Sequence, residues 1–358
     1  MKTVKNFFMM ALDMQLFADV INTTGSNTTG NNLSAEIKTF YDKVLLREAG
    51  PKLVHDQFGQ KRDIPEGNGK TIEFRKFNQL PKALTALTEG VTPDGGALDV
   101  TSLTATVAQY GYFLRISDVL DLTAIDNVIV EASQLLGSQA GVTMDTVVRN
   151  QLVAGTNVMF CPTLADGVET AVTQRKNMNT TSQLTVKMIQ KAVTLLKNNN
   201  VPDFNGDYVA IIHPSVAYDL KRDPEWVNAH QYAQPENLFT GEIGKIAGVR
   251  FVETTEAKVW NDSNCPVKTA ANGSDPAVYY SVFATLVLGK NAYGVTEVTG
   301  GGLQTIVKPK GSAGTADPLD QRSTVGWKGI RTAKILLEQN MVRIESVSAE
   351  WSDSVKAN

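Results

Sequence analysis

The chain reads as an α+β protein in which a projecting hairpin and one long helix precede a segment of alternating helices and strands. Three observations carry that reading. Residues 123–155 hold a helical repeat much longer than an ordinary globular helix. Two strand-like runs, 70–77 and 101–117, enclose about 23 residues with no regular pattern of their own. From about residue 184, amphipathic helix, turn and buried strand alternate.

Residues 1–60 form an arm and not a domain. The start, "MKTVKNFFMMALDMQLFADV", imitates an export signal, with Lys2 and Lys5 before an apolar run. Asp13 interrupts that run after about six residues, where a signal needs roughly seven to fifteen. Phe8, Leu12 and Leu16 fall on one helical face instead. Residues 22–32, "NTTGSNTTGNN", are a polar tether that cannot bury a core. In "LSAEIKTFYDKVLLREAGP", Ile37, Phe40, Tyr41, Val44 and Leu45 recur at helical spacing, and Gly50-Pro51 supplies the stop. An arm of this kind is expected to lie on a partner.

The strands "KTIEFRKF" and "TSLTATVAQYGYFLRIS" are joined by "NQLPKALTALTEGVTPDGGALDV". Structureless loops beyond about 12–15 residues are uncommon inside a compact domain. Leu80, Leu84, Leu87 and Val91 would stand in water if this loop were alone. The expectation is a two-stranded projection whose tip, carrying these four residues, is an intersubunit contact buried by a neighbouring copy.

The long helix starts with a capping-box-like Thr123 to Asp126, and Gly155 ends it. Ile125, Val128, Ile129, Ala132, Leu135, Leu136 and Ala140 follow its period. About 29 helical residues would extend roughly 43 Å. Gly137 and Gly141 inside it cost about 1 kcal/mol each relative to alanine, so close packing or a bend must offset them. Asp118, Asp121 and Asp126 gather where acidic groups favour a helix dipole. Downstream, "LTVKMIQKAVTLLKNNN" reads as a helix, and "YVAIIH" (208–213) as a buried strand. Pro214 opens a helix, and "VRFVET" (249–254) and "AVYYSVFATLVLG" (277–289) read as strands. Two final strands flank a turn at Gln339-Asn340 and are expected to return beside the long helix.

The chemical readings are thin. A net charge of -3 offers no global basic field for nucleic acid. Two cysteines and three separated histidines give no metal-ligand pattern, so no metal or cofactor is expected. "PEGNGKT" (65–71) imitates a phosphate loop, but Ile64 stands where GxxxxGK[ST] needs its first glycine, and Thr71 opens a strand. "GEIGKIAGVRFVET" (241–254) lacks the GxGxxG fingerprint. It is expected to be a short helix turning into a strand, with Gly241 and Gly248 at positive φ and Gly244 allowing a close backbone approach. No GxSxG elbow exists, so no catalytic residue is assigned and no enzyme is expected. No stretch has the roughly twenty apolar residues that cross a bilayer, so no membrane partner is expected.

Arm, hairpin, long helix, α/β segment and returning strand pair, in that order, resemble the major capsid proteins of tailed bacteriophages, the Hong Kong 97-like fold. "LVHDQFGQKRDIPEGNGKTIEFRKFNQLPKALTALTEGVTPDG" (53–95) is similar to the stretch leading through the extended loop of one branch of that family. "GEIGKIAGVRFVET" resembles its glycine-marked central segment. "DPLDQRSTVGWKGIRTAKILLEQNMVRIES" (317–346) resembles its C-terminal signature, and "MQLFAD" (14–19) its N-termini.

The resemblance implies an N-terminal arm (1–60), an extended loop (61–117), a peripheral domain with a spine helix (118–183 and 301–358) and an axial domain (184–300). It also implies self-assembly into hexamers and pentamers closing as an icosahedral shell around double-stranded DNA held without sequence-specific binding. Scaffold, portal and decoration proteins would be partners, and the virion the location, after assembly in the bacterial host cytoplasm. An encapsulin-like nanocompartment is the alternative within the same fold. A nucleotide-binding enzyme using "GNGKT" is the alternative outside it.

Overall fold

The computed structural model describes residues 45–77, 80, 82–87, 89–92, 95–123, 128–231, 242–269, 277–312 and 317–358. Most of the expected arm, together with Asp126 and Gly241, lies outside those residues.

Residues 45–49 are helical and run into a 3-10 turn at Gly50–Lys52. The chain then crosses the molecule as a strap that ends in β1 (Gln60–Lys61). The "PEGNGKT" stretch is a turn, with φ of 85° at both Gly67 and Gly69, and it delivers the chain into β2 (Thr71–Phe77). A strand, not a helix N-terminus, follows it, so it is no phosphate cradle. β3 (Val100–Thr106) pairs antiparallel with β2 from Thr71↔Thr106 to Phe77↔Val100. The run expected as one strand over 101–117 breaks at Val107, whose N–H bonds the Lys70 carbonyl at 3.0 Å. Beyond the break, β4 (Ala108–Ser117) leaves the hairpin for another sheet.

Two helical segments follow. α1 (Asp118–Thr123) is capped at its start by the Ser117 hydroxyl, which accepts from Leu120 N–H at 3.2 Å. The Thr123 hydroxyl donates to the Val119 carbonyl at 2.7 Å. The residues between Thr123 and the long helix, Asp126 among them, lie outside the described residues, and with them the expected capping box. That helix, α2, spans Val128–Val153, 26 residues, or about 39 Å at 1.5 Å per residue. The two interior glycines meet the helical segment 45–49. A Cβ on Gly137 would sit 2.8 Å from the Leu45 carbonyl oxygen, and one on Gly141 2.6 Å from that of Ala49. Close packing, the first of the two offsets expected, explains them.

A short strand, β5 (Val158–Phe160), and a small hairpin, β6 (Thr163–Ala165) with β7 (Val168–Thr170), follow. Then come α3 (Val186–Asn198), β8 (Tyr208–Ile212), α4 (Pro214–Lys221) and α5 (Pro224–Gln231). Pro224 stops one helix and opens the next, as its fixed φ and missing N–H allow at a first helical position. The next stretch departs from expectation. Glu242–Ile246 is a strand, β9, joined to β10 (Val249–Glu253) by a two-residue turn. Ala247 and Gly248 have φ of 53° and 75°, the pattern of a tight hairpin. Gly248 thus meets its expectation. Gly244, at φ 127°, lies where β9 carries one extra residue against β10, so its role is a bulge.

The remaining strands are β11 (Val259–Trp260), β12 (Val267–Thr269), β13 (Val278–Tyr279), β14 (Val282–Leu288), β15 (Tyr293–Thr296), β16 (Gln304–Lys308), β17 (Arg322–Ile335) and β18 (Met341–Val347). One sheet runs β5-β18-β14-β8-β10-β9, with β11 also on β14. The other runs β1-β15-β17-β16, with β4 also on β17. The two final strands do not pair with each other. β17 lies against α2 as expected, whereas β18, buried at six of seven positions, enters the larger sheet between β5 and β14.

α2 joins the two sheets. Ala132, Leu136, Ala140 and Met144 pack with Leu45, Ile116, Val325 and Trp327 of the smaller sheet's side. One end further along, Val148, Leu152 and Val153 pack with Ile211, Leu286 and Leu288 of the larger sheet.

Candidate assembly surface

The hairpin formed by β2 and β3 stands out through its connection. Leu84 and Leu87 are 86% and 76% exposed, and Leu80, Val91 and Leu98 are exposed as well. Burying each leucine would be worth about 1.5–3 kcal/mol. Contiguous exposed apolar groups of this kind mark an interaction site. The connection over 78–99 is also acidic, with Lys82 against Glu89, Asp94 and Asp99.

A second surface lies on the smaller sheet. Val325 and Trp327 of β17 point into the core under α2, and the Trp327 indole N–H donates to Gln139 Oε1 at 3.0 Å. Alternation therefore turns Thr324, Gly326 and Lys328 to the opposite face. The register places Phe113 of β4 and Ile306 of β16 on either side of Gly326, and Arg115 and Lys308 on either side of Thr324. These residues line an open cleft of about 570 Å³ that Arg322 also borders. Phe113 is exposed, and the Arg115 guanidinium lies 5.3 Å from its ring centre. Gly326 keeps the floor flat, since a Cβ there would meet the Phe113 Cβ at 2.7 Å. The cleft is apolar at its centre and basic at its rim, the complement of the hairpin connection.

The strap that leads to the hairpin is tied down by a buried polar network that nothing local in the sequence announces. His55 and Asp145 are fully buried, with His55 Nδ1 2.6 Å from Asp145 Oδ2. The His55 backbone N–H donates to Asp145 Oδ1 at 2.7 Å, and the Tyr293 hydroxyl donates to the His55 carbonyl. Burial, with Asp56 nearby, pushes the Tyr293 hydroxyl well above its usual range. Asp56 accepts from Arg331 Nη2 at 3.0 Å. Strap, spine helix, β15 and β17 are thereby held by residues up to 275 positions apart.

The other chemically suggestive groups have structural duties. His213 caps α4, its Nδ1 accepting from Ser215 N–H at 3.1 Å, and burial lowers its pKa to about 4. Cys161 is buried with its thiol pushed far up by desolvation, and burial raises Cys265 to about 11. Asp121 pairs with Lys310 at 3.0 Å, and Asp118 bonds the adjacent Val119 N–H. Among the described residues no group of three His, Cys, Asp or Glu side chains is placed to hold a metal ion.

A family model for phage capsid proteins matches residues 115–312, more than half of the chain. Solved structures agree at the level of the fold. The capsid of the cyanophage P-SCSP1u is 16% identical at a TM-score of 0.58, over 83% of this chain and 88% of that one. The capsid asymmetric unit of the cyanophage Pam1 is 15% identical at 0.57, over 92% and 96%. The capsid of Ralstonia phage GP4 is 14% identical at 0.56, over 82% and 88%. No curated protein matches the sequence. The chain belongs to the phage capsid protein family and carries the Hong Kong 97-like fold of a shell-forming major capsid protein.

Proposed function

We propose that copies of this chain associate into hexamers and pentamers that close as an icosahedral shell around double-stranded DNA. The observation that carries this reading is the pairing of an exposed, acidic, leucine-rich hairpin connection with an apolar cleft rimmed by Arg115, Lys308 and Arg322. One copy offers the connection and the next receives it, so the contact is heterologous and closes into a ring. In this account residues 1–60 are an arm laid on a neighbour and 61–117 an extended loop. Residues 118–183 and 301–358 make a peripheral domain, and 184–300 an axial domain. The contact residues at the loop tip are Leu80, Leu84, Leu87 and Val91.

The role is structural and non-catalytic. Scaffold, portal and decoration proteins complete the set of partners, and assembly takes place in the host cytoplasm before the chain becomes part of the virion. A mildly acidic protein suits a container that must not grip every phosphate, because tight counterion-releasing contacts would oppose filling and ejection.

Electron microscopy of the purified recombinant protein, with size-exclusion chromatography and analysis of contents, tests the reading. Closed shells, tubes or capsomer rings are expected. Shells that select a protein cargo and exclude DNA would favour a nanocompartment instead. A monomer that binds ATP, with binding lost in Lys70→Ala, would overturn the proposal.

A further inference from the structure

The C-terminus of the spine helix ends on an ion cluster set in the larger sheet. Arg343 of β18 donates through Nη1 to the Val153 carbonyl and, at 3.0 Å, to the Gly155 carbonyl, satisfying groups that a helix end leaves open. Its cationic charge suits the negative end of the helix dipole. The same guanidinium donates through Nε to Glu345 Oε1 at 3.0 Å. From the other side Arg175 grips Glu345 with a two-pronged contact, Nε to Oε2 at 2.7 Å and Nη2 to Oε1 at 2.8 Å. Arg175 also lies 3.8 Å above the Trp260 ring, and Arg343 lies 5.6 Å from it. The Glu345 side chain is fully buried and both arginines are partly buried.

Stability alone is a poor explanation for this cluster. Taking three charges out of water costs about as much as their pairing returns, and apolar replacements of such clusters are often neutral or stabilising. An arginine fork on a carboxylate does set distance and plane together, which apolar packing does not. The cluster joins three parts of the molecule: the end of α2, strand β18 between β5 and β14 of the larger sheet, and the short 3-10 turn Arg175–Asn177 that lays Arg175 over Trp260. α2 packs on the smaller sheet along its first half and against residues of both sheets at its end, so a clamp that holds this end to β18 helps to hold the two sheets at one angle.

We propose that Glu345 is the pivot of a clamp, with Arg343 and Arg175 as its jaws, that fixes the angle between the two sheets and so sets the curvature of the assembled shell. This rests on the shell-building reading given above. A small error in the angle at each subunit accumulates around a ring, so an unclamped subunit closes at several curvatures or fails to close. Glu345, Arg343 and Arg175 are positioning residues, and none of them lines the cleft on the smaller sheet.

The test is the diameter distribution of particles formed by full-length protein, measured by cryo-electron microscopy beside circular dichroism and thermal melting of the subunit. Wild type is expected to give one narrow population. Glu345→Gln and Arg175→Met are expected to stay folded and lose that single population, giving shells of several diameters together with tubes. Arg175→Lys, which keeps the charge but not the fork, should restore the narrow population only in part. If Glu345→Gln does not fold, the partly accessible Arg175→Met decides. Folded variants that all give the wild-type diameter would overturn the clamp. A wild type that forms no curved product at all would instead overturn the shell-building reading itself.

Discussion

Gly141 of the spine helix lies directly against the backbone of Ala49, so close that a Cβ at 141 would stand 2.6 Å from the Ala49 carbonyl oxygen. Gly137 meets Leu45 in the same way one turn earlier. The helix accepts two poor helix formers because their missing side chains are the seat of the incoming chain.

Gly141→Ala therefore sets two effects against each other. Helix propensity improves by about 1 kcal/mol, but a backbone contact must open, at a cost of about 1–3 kcal/mol. Because the obstruction is a carbonyl and not a flexible side chain, the second effect wins. Urea denaturation should show a net loss of stability, and limited proteolysis should cut sooner near residues 45–60. Ser138→Ala, at a half-buried position beside the exposed Gln139, should do neither.

The strap's second anchor gives an independent prediction. Asp145→Ala strands two buried groups of His55, its backbone N–H and its ring. Each buried group left unsatisfied costs about 1–3 kcal/mol. Asp145→Asn keeps an acceptor for one of them and should be milder. The order Asp145→Ala worse than Asp145→Asn, read from denaturant midpoints, checks this assignment.

His213 predicts a pH dependence with a definite sign. Its pKa in the folded chain is lowered by burial to about 4, against about 6.5 for an unfolded histidine. The unfolded state thus binds more protons between these values, so stability is full above pH 6.5 and falls as pH drops towards 4. The loss is at most about 3 kcal/mol. His213→Asn, which retains a capping acceptor, should flatten that part of the stability profile measured by thermal melting between pH 4 and 7.

How much of this was legible follows from how local each signal is. β2, β8, α3 and the exposed leucines of the hairpin connection were readable because periodicity and turn residues are written in consecutive positions. The start of α1 was harder to read, because Ser117 ends a strand and holds the first turn of the helix with its hydroxyl at the same time. Glu242–Ile246 was expected as helix because Gly241 and Gly248 suggested helix ends, whereas Gly248 makes a hairpin turn and Gly244, between them, a bulge. The His55–Asp145 and Arg175–Glu345 pairs join residues 90 and 170 positions apart, and no spacing rule reaches that far. The cleft on the smaller sheet likewise needs the register of β16 and β17 with β4, which is remote from both in sequence.

That cleft yields a charge-swap prediction. Arg115→Glu places an acid opposite an acidic connection and should weaken assembly, although each exposed ion pair is worth only about 0.2–1 kcal/mol. Repetition at every contact in a shell makes that small term visible. Adding Glu89→Lys should recover part of the yield, measured as the fraction of protein sedimenting as particles. No recovery would detach the connection from this cleft.

The most direct test of the central claim is electron microscopy of Leu84→Asp/Leu87→Asp beside wild type, with circular dichroism to confirm that both are folded. The account predicts folded subunits that form no closed shells, because the hairpin tip can no longer enter an apolar seat on its neighbour. Normal shells from the double variant would contradict it.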